Sequence, residues 1–370
     1  PSRPYVETLM RMAALLHDVG HGPFGHFFDQ HFLADYGLTH ETLGCTIIEQ
    51  ELGHLLRGLR RNPHGEIPAG ETLDPWQVAF LIRRPQGPDD GPRWLQMLRS
   101  LFSGLYTVDN MDFVLRDAYM TGYSARAFDL ERLLHYSFFT ERGLTIHERG
   151  LHALVRFIEV RAALFQSIYF HRAVRAIDLS LQELFEGSKA FLFPGNPLEH
   201  LDEYLRFTEW TLLNDVARWS QSDNAEKQEW GQRWEALLRR DLRWQMVCER
   251  TRYFEPHETE HGSIFSNETF VIAAIREQLP APLKSLPLRV DLPRHIHRPG
   301  TRGPVPGQNF YYDATTGDVK NLTDNTLFNN LPLSYRICRV YAETTNHNPQ
   351  IAAALDKLLK PGGVDDVTNM

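Results

Sequence analysis

The sequence has 370 residues, 42% of them hydrophobic and 23% charged, which is typical of a soluble globular protein with one large or two modest domains and excludes a fibrous or disordered chain. The net charge of -8 argues against nonspecific nucleic-acid binding as the main activity, although a local basic groove could still hold phosphates. Only three cysteines occur, in no CxxC pair, which argues against a disulfide framework or a structural zinc module and favours a reducing cytoplasm. No stretch approaches the ~20 apolar residues that cross a bilayer, so the sequence predicts a cytoplasmic protein without a membrane partner.

Helical periodicity dominates the first two thirds of the chain, where apolar residues recur at spacings of three and four with polar faces between them. The chain begins with "PSRPYVETLM", which has no initiator methionine and enters the first predicted helix almost at once. We therefore expect the sequence to be a fragment whose natural upstream part is absent. The predicted helices cover residues 5–16, 40–58, 94–120, 151–186, 198–219 and 225–250, and the predicted loops cover 83–93, 193–197 and 298–308.

Strand-forming residues appear in two parts of the chain. The segment "YSFFTERGLTIHE" at 136–148 has β-rich runs on either side of "ERG", which predicts a hairpin. From about residue 285, short strand candidates alternate with turns, and a helix follows from about residue 348. The predicted fold is therefore mainly α, with a helical body over residues 1–255 and a smaller α+β lobe over 256–370. The strand candidates in this lobe are "PLRVDLP", "QNFYYDATTG" and "YRICRVYAET".

Titratable residues gather at the end of the first predicted helix, in "LLHDVGHGPFGHFFD". His17 and Asp18 follow the apolar run, and the glycines and proline after them stop the helix. Burying such groups is costly unless a metal ion, partner charges or hydrogen bonds satisfy them. An imidazole nitrogen and a carboxylate oxygen together suit Mn, Fe, Zn, Ni or Mg. The segment therefore predicts a divalent metal site.

Three further histidines and a third carboxylate add to this pair. His21 lies one helical turn beyond His17, His26 follows a glycine-proline turn, and His40 opens the next predicted helix. The third carboxylate, Asp109, lies in the helical segment "YTVDNMDFVLRDAYMTG". Each residue alone is more typical of a satisfied core group or a surface ion pair, whereas the whole set favours a shared site. The surface pair predicted on the ordinary interpretation is Asp112 with Arg116.

Four separated blocks of the sequence resemble a known family. They resemble the HD-domain deoxynucleoside triphosphate triphosphohydrolases, particularly the branch of the vertebrate sterile-alpha-motif HD enzyme. The resemblance extends to "LPLSYRICRVYAET" and so covers most of the chain. It implies an HD-domain helical bundle with a smaller α+β C-terminal lobe. The four blocks are "LLHDVGHGPFGHFFD", "LTHETLG", "TVDNMDFVLRD" and "RAALFQSIYFHR".

The resemblance implies roles for the titratable residues around the HD pair. His17, Asp18 and Asp109 match three of the four metal ligands of the family. The family's first ligand is a histidine some tens of residues before the HD pair, and no histidine precedes His17 here. We therefore expect the absent upstream segment to supply it. The histidines that line the α-phosphate, and their supporting carboxylate, match His21, His26, His40 and Asp29.

The resemblance also implies a nucleotide pocket. Asp117, Arg161 and Tyr169 match residues that contact the sugar hydroxyl, the terminal phosphate, and the sugar or base. A guanidinium suits a phosphate independently of the family, and Arg161 and Tyr169 share a broad face of one predicted helix. Four pocket positions depart from the vertebrate-like pattern. Asn110 and Phe113 stand where those relatives carry Lys and Tyr near the phosphates, and Phe165 and Phe170 replace polar pocket residues.

The implied reaction is hydrolysis of a dNTP to a deoxynucleoside and inorganic triphosphate. A metal ion would polarise the α-phosphate and a bound water, His26 would protonate the leaving oxygen, and His21 would stabilise charge on the phosphate. The departures in the pocket leave two alternatives open. One is another HD-superfamily nucleotide phosphohydrolase or phosphodiesterase, and the other is a catalytically inactive nucleotide sensor.

The resemblance implies partners as well as a substrate. Relatives form homo-oligomers, either tetramers or hexamers, and some are activated by bound nucleotides. The loop at 298–308 could bind the phosphate of such an activator, although a mobile surface loop is the more ordinary interpretation. A nucleic-acid partner is not indicated by the sequence.

Overall fold

The first helix of the computed structural model ends at the residue before His17. The structure describes residues 1–83, 91–254, 267–296, 310–332 and 334–358. The Ser2 hydroxyl caps the first helix by accepting a hydrogen bond from the backbone N–H of Tyr5, and Leu9 is buried against the core. The helices of this part are α1 (Arg3–Leu16), α2 (His26–His31), α3 (His40–Thr46), α4 (Gly53–Gly58), α5 (Pro75–Ile82) and α6 (Arg93–Arg99).

A largely buried helix, α9 (Leu151–Leu164), has nine of its 14 residues in the interior and packs against α7 (Val108–Met120). The Thr107 side chain caps α7 by accepting from the backbone N–H of Asn110, and this fixes the turn that carries Asp109. A π-helical turn, Phe165–Tyr169, follows α9. The remaining helices are α8 (Leu130–His135), α10 (Arg172–Leu192), α11 (Leu201–Tyr204), α12 (Glu209–Val216), α13 (Ala225–Leu238), α14 (Glu268–Gln278), α15 (Thr326–Asn329) and α16 (Asn348–Leu358).

Three small sheets complete the described part of the fold. A two-stranded sheet joins β1 to β2, a second sheet has the order β3-β4-β8-β9, and a third has the order β5-β10-β6, with β7 pairing the far end of β10. The pairs are antiparallel except for β4 with β8. The strands are β1 (Arg61–Asn62), β2 (Gly65–Glu66), β3 (Ser137–Thr140), β4 (Gly143–His147), β5 (Gln245–Phe254), β6 (Leu288–Asp291), β7 (Arg294–Ile296), β8 (Phe310–Asp313), β9 (Asp318–Asn321) and β10 (Ser334–Ala342).

The mainly α fold with a smaller α+β part is confirmed, and so are the hairpin at 136–148 and the strand candidates of the C-terminal part. The predicted helix at 225–250 is wrong at its end, because α13 stops at Leu238 and residues from Gln245 form β5. Arg240 has a φ of 61°, which ends the helix, and β5 then pairs along the whole of β10. The backbone pairing of residues 245–254 with β10 therefore decides that this segment is a strand, although its apolar spacing predicts a helix.

Four further predicted helices are interrupted, and one prediction on domains stays untested. The helix predicted at 94–120 divides into α6 and α7, and the helix predicted at 198–219 divides into α11 and α12. A π-helical turn separates α3 from α4 within the helix predicted at 40–58, and another separates α9 from α10 within the helix predicted at 151–186. The boundary at residue 255 remains a prediction, and β4 and β8 pair across it. The predicted loop at 298–308, and residues 84–90 of the loop at 83–93, lie outside the described residues. No helix in the described ranges is long and apolar enough to span a membrane.

Candidate active site

The end of α1 and the start of α7 bring the three predicted metal ligands together. His17 follows the last residue of α1, and Asp109 lies in the first turn of α7. The Nε2 atom of His17 lies 3.1 Å from an Asp18 carboxylate oxygen and 3.4 Å from an Asp109 carboxylate oxygen. Asp18 and Asp109, which are 91 positions apart in the sequence, thus both face the same nitrogen of His17. We name His17, Asp18 and Asp109 the HD triad.

The HD triad has an unsatisfied nitrogen at its centre. Nδ1 of His17 lies 2.9 Å from the Ala14 carbonyl oxygen, so it carries the ring proton in a neutral imidazole. Nε2 is then a bare acceptor that is buried, makes no hydrogen bond to the described residues and faces two carboxylates. This arrangement is repulsive unless a proton or a cation lies between the groups. It fits a metal ion, because metal-binding histidines commonly donate their other N–H to a backbone carbonyl.

The contacts between His17 and the two carboxylates also shift pKa values within the triad. Contacts with Asp109 and then Asp18 raise the pKa of His17 to about 10 against the opposing effect of burial. Burial alone would raise the pKa of Asp18, but the contacts with His17 and the nearby histidines outweigh it and lower the pKa. The site therefore favours positive charge at its centre.

A tight turn between α1 and α2 presents the next two histidines. Gly20 crosses beneath the first turn of α3 so closely that a Cβ at this position would lie 2.0 Å from the His40 carbonyl oxygen. Phe24 has a φ of 68°, a strained backbone conformation for a bulky residue, and its N–H donates to a Glu209 carboxylate oxygen at 2.9 Å. The Tyr204 hydroxyl donates to the Gly20 carbonyl oxygen at 2.8 Å. Helices far along the chain thus hold this turn.

Three histidines converge on one carboxylate, Asp29. The Nδ1 atoms of His40 and His26 lie 2.5 Å and 3.3 Å from one Asp29 oxygen, and Nδ1 of His21 lies 3.5 Å from the other. The rings of His21 and His40 stack with centroids 3.8 Å apart. In the described part of the chain, these four side chains have donor atoms that all lie within 4.8 Å of one another. We name His21, His26, Asp29 and His40 the histidine cluster.

The histidine cluster keeps its carboxylate ionised. Burial alone would raise the pKa of Asp29, but contacts with His21, His26 and His40 outweigh it and hold the pKa far below its ordinary value. In return, Asp29 raises the pKa of His26, although burial opposes the shift. The His26 side chain is 82% exposed, so a proton on this ring is accessible from outside.

The predicted sugar-binding residues lie on α7 and the π-helical turn. The Tyr169 hydroxyl donates to an Asp117 oxygen at 2.5 Å, and Arg116 donates to the other Asp117 oxygen at 2.8 Å. Burial, followed by the Asp117 contact, raises the pKa of Tyr169, and the charge of Asp109 adds to the shift. Asp109 therefore acts on Tyr169 electrostatically, which connects this group to the HD triad.

Aromatic rings form one wall beside Tyr169. The Phe165 and Tyr169 ring centroids lie 4.9 Å apart, and Phe113 contacts both rings edge-on. Phe165 also packs on His295, whose ring centroid lies 4.6 Å away. The apolar residues at 113 and 165, which depart from the family's pattern, therefore make one surface. His295 was not predicted from the sequence.

The other predicted pocket residues are placed less directly. The Asn110 side-chain amide donates to the Thr107 hydroxyl at 2.7 Å, next to the triad's Asp109. Arg161 is buried in the last turn of α9 and donates to the Leu105 carbonyl oxygen at 3.1 Å. Burial lowers the pKa of Arg161 to about 10, which still leaves the guanidinium charged near neutral pH. Their contacts with a nucleotide stay predictions.

Sequence reasoning missed the groups that hold the site in place. The ordinary interpretation of Asp112 and Arg116 as a surface ion pair is confirmed, with 3.1 Å between the two groups. The Ala14 carbonyl, Tyr204 and Glu209 were not predicted. The carbonyl could have been found from its position one turn before His17, but Tyr204 and Glu209 act from more than 180 residues away and left no signal in the sequence.

Comparison with known proteins identifies a domain in the first quarter of the chain. The HD domain family model matches residues 6–94, which include most of α1, all of α2 to α5, the whole histidine cluster, and His17 and Asp18 of the HD triad. The chain contains an HD domain. HD domains are metal-dependent hydrolases, so the match supports a hydrolase that uses a metal ion. The resemblance to HD-domain dNTP triphosphohydrolases is thereby confirmed at the level of the family.

Individual relatives resemble this chain at modest identity. The uncharacterized protein YwfO of Bacillus subtilis is 29% identical over 229 residues, 58% of this chain and 48% of that protein. The deoxynucleoside triphosphate triphosphohydrolase SAMHD1 of Gallus gallus is 27% identical over 54% of this chain and 37% of that protein. The Bos taurus protein of the same name is 22% identical over 93% of this chain and 62% of that protein. The chain thus spans less than two thirds of each of these relatives.

A solved structure shares the fold. The crystal structure of a hypothetical protein from Aquifex aeolicus has a TM-score of 0.66 to this chain and covers 94% of it, while 79% of that chain is matched. The two sequences are 19% identical, so this likeness bears on the fold alone.

Proposed function

We propose that this chain hydrolyses deoxynucleoside triphosphates to a deoxynucleoside and inorganic triphosphate with the help of a divalent metal ion. The observation that carries the proposal is the buried Nε2 of His17, which faces two carboxylates beside a cluster of three histidines. The HD domain at 6–94 supports a phosphohydrolase. The likeness to the proteins named SAMHD1 supports a dNTP as substrate.

The HD triad is the proposed holder of the metal ion. When bound, the ion would polarise the α-phosphate and lower the pKa of an attacking water. The chain's own part is to orient the ligands in advance. The Ala14 carbonyl fixes the ring of His17 so that Nε2 faces the oxygens of Asp18 and Asp109.

The histidine cluster is the proposed proton donor. Asp29 accepts from Nδ1 of His26 and raises the pKa of this ring, so a larger fraction of it is protonated near neutral pH. The other ring nitrogen is then able to donate a proton to the leaving 5′ oxygen. His21, which lies between Asp29 and Asp18, would stabilise charge on the α-phosphate. His40 would hold Asp29 in place.

The groups on α7 and α9 are the proposed nucleotide contacts. Asp117 and Tyr169 would bind the sugar hydroxyl, because the carboxylate and the phenolic oxygen of this hydrogen-bonded pair can each accept its proton. Arg161 would attract the outer phosphates through a buried positive charge. Asn110 would contact the phosphates from the turn that carries Asp109.

A homo-oligomer is also proposed, on the basis of the family resemblance. A tetramer or a hexamer is expected. Light scattering coupled to size-exclusion chromatography, with and without dNTP, would distinguish these states from a monomer.

Product analysis tests the proposed reaction. Each of the four dNTPs is incubated with the protein and Mn²⁺ or Mg²⁺, and the products are separated chromatographically. Release of intact triphosphate and deoxynucleoside is expected. Release of monophosphate or pyrophosphate would instead identify another type of nucleotide phosphohydrolase, and nucleotide binding without any product would identify a sensor.

A pair of histidine variants tests the proton donor. His26→Ala should lower kcat by about 100-fold, because general acid catalysis typically contributes 10²–10⁴-fold. His64→Ala is the matched control, since His64 is also exposed and also pairs with a carboxylate, Glu7. Equal activity of the two variants would contradict the assignment of His26.

A further inference from the structure

A mainly apolar cavity of about 340 Å³ lies between the α1–α2 turn and the helices α10, α12 and α13. Eight of its ten described lining residues are apolar, and the other two are Asp178 and Arg240. The volume falls within the ~300–1,000 Å³ that ligand pockets typically occupy. Of the described residues that line it, none belongs to the HD triad or to the histidine cluster, so the cavity is separate from the candidate active site.

Apolar side chains at the mouth of this cavity are open to solvent. Ile177 on α10 is 37% exposed and Leu238 at the end of α13 is 42% exposed. Leu181, one helical turn after Ile177, lines the same cavity and is buried. The apolar lining therefore runs from the protein surface into the interior, which is typical of a binding site for an apolar group.

The two charged lining residues differ in whether they have a partner. Asp178 lies 2.9 Å from the guanidinium of Arg175, which offsets its charge. Burial raises the pKa of Asp178, although the contact with Arg175 opposes this shift. The guanidinium of Arg240, by contrast, forms no ion pair or hydrogen bond with the described residues. The described lining thus offers one unpaired charge, and this charge is positive.

The backbone of Arg240 adopts a conformation that favours glycine. Its φ is 61°, and the N–H groups of Arg240 and Asp241 donate to the carbonyl oxygens of Leu237 and Ala236, both at 2.9 Å. These two bonds end α13 in the pattern for which glycine is the usual residue at this position. The helix end would therefore be less strained with glycine, which points to a role for the arginine side chain.

We propose that this cavity binds a free fatty acid, with the carboxylate on Arg240 and the alkyl chain against the apolar lining. A guanidinium binds a carboxylate through two parallel hydrogen bonds. An alkyl chain has no polar atoms, so the apolar lining leaves none of its atoms without a hydrogen bond, whereas a nucleobase would lose several. At about 30 Å³ for each group of the size of a water molecule, the cavity holds a chain of about ten to twelve carbons.

Dodecanoate, used below the concentration at which it forms micelles, tests the ligand class. Isothermal titration calorimetry of the full chain at several temperatures should show one dodecanoate per chain and a negative heat-capacity change, which marks apolar burial. Decanoate should bind about 15-fold more weakly, because each buried methylene contributes about fourfold. Dodecanol, which lacks the charge, should bind at least about tenfold more weakly. Equal affinity for dodecanol, or many dodecanoates per chain, would overturn the proposal.

Arg240→Gly tests the contact with the carboxylate without threatening the fold. Glycine suits the positive φ, so the variant should be at least as stable as the wild type and yet bind dodecanoate at least about tenfold more weakly. Arg239→Ala is the control, because Arg239 is an exposed neighbouring cation that pairs with Glu235 and does not line the cavity. Wild-type affinity in Arg240→Gly, or an equal loss in both variants, would contradict the contact.

Ile177→Trp tests the position of the alkyl chain by filling the mouth of the cavity. Dodecanoate binding should be lost, whereas Val174→Trp, an exposed position on the same helix that does not line the cavity, should bind normally. Circular dichroism confirms that both variants are folded. Wild-type affinity in Ile177→Trp would overturn the proposal. Absence of carboxylate binding to the wild type, together with loss of an oligomer in Ile177→Trp, would instead assign the cavity to a second copy of the chain. Since binding is measured without dNTP, none of these outcomes depends on the proposed function.

Discussion

His17 shows how one hydrogen bond can decide what a side chain binds. Its Nδ1 atom faces the Ala14 carbonyl 2.9 Å away, so the other nitrogen must face Asp18 and Asp109. Both carboxylates attract positive charge to that nitrogen. In the protein without metal a proton satisfies them, and in the metal-loaded protein the proposed ion does so. The two forms therefore differ in how their stability depends on pH.

Stability of the metal-free protein should fall as pH rises. The pKa of His17 is raised from 6.5 to about 10 by Asp109 and Asp18, so the folded state binds this proton more tightly than the unfolded state. The resulting stabilisation is complete below about pH 6.5 and is lost as pH rises to about 10. Urea denaturation of the chelated protein between these pH values measures the loss.

Metal loading and a triad variant provide the controls for this pH dependence. Saturating Mn²⁺ should remove the decline, because the ion takes the place of the proton. Asp109→Asn should flatten the decline in the chelated protein, because it removes the largest cause of the raised pKa. A chelated wild type of constant stability over this range would contradict the assignment.

Removing one oxygen atom from Tyr169 tests the proposed contact with the sugar. Tyr169→Phe keeps the ring on Phe165 but removes the hydroxyl that donates to Asp117. Because hydrogen bonds to charged groups contribute about 1.5–3 kcal/mol, kcat/KM should fall by about tenfold or more. Tyr253→Phe is the control, since this exposed tyrosine also bonds to a side chain, Gln166. Similar kinetics in both variants would remove Tyr169 from the pocket.

At the scale of elements, the turn between α1 and α2 positions the histidine cluster. Its strained residue, Phe24, has a positive φ and keeps this conformation because Glu209 accepts its N–H. A strained backbone conformation of this kind persists only where several surrounding contacts hold it in place. Since α2 begins two residues later, a shift of this turn displaces His26.

Glu209→Ala should therefore lower kcat more than it changes KM. A small displacement of a catalytic group costs up to about 100-fold in rate, and we expect a loss of about tenfold to 100-fold. Glu209→Gln retains an oxygen acceptor and should recover most of the activity. A Glu209→Ala protein with normal kcat, or a Gln variant as impaired as the Ala variant, would show that this contact does not position His26.

The sequence predicted elements whose signal is local and missed those decided by distant contacts. The end of α1 before His17 follows from apolar spacing and the glycines after it. The HD triad was predicted because Asp18 and Asp109 lie in recognisable blocks. By contrast, β5 carries apolar residues at helical spacing and becomes a strand only because β10, about 90 residues later, pairs with it. The contact of Glu209 with Phe24 is equally nonlocal and left no local pattern.

At the scale of the whole molecule, a buried ion pair joins the helical body to the C-terminal sheet. Arg175 on α10 donates two hydrogen bonds to Asp291 on β6, at 2.6 Å and 3.0 Å, and Asp291 is 1% exposed. Arg339 on β10 lies 3.6 Å from the other Asp291 oxygen. A cavity of about 280 Å³ lined by Arg175, Asp291 and His26 lies beside this contact. The sheet is therefore connected to the candidate site through α10.

Asp291→Ala should destabilise the whole protein by about 1.5–3 kcal/mol, because Arg175 and Arg339 lose a buried carboxylate and keep only Asp178 and Glu249 as partners. Urea denaturation followed by circular dichroism measures the change. Glu229→Ala is the control, since its partner Arg233 is 55% exposed and such surface pairs contribute at most about 1 kcal/mol. If Asp291 connects the two parts, unfolding should remain one transition that moves to lower urea. A second transition confined to β-structure would show that the C-terminal sheet unfolds independently of α10.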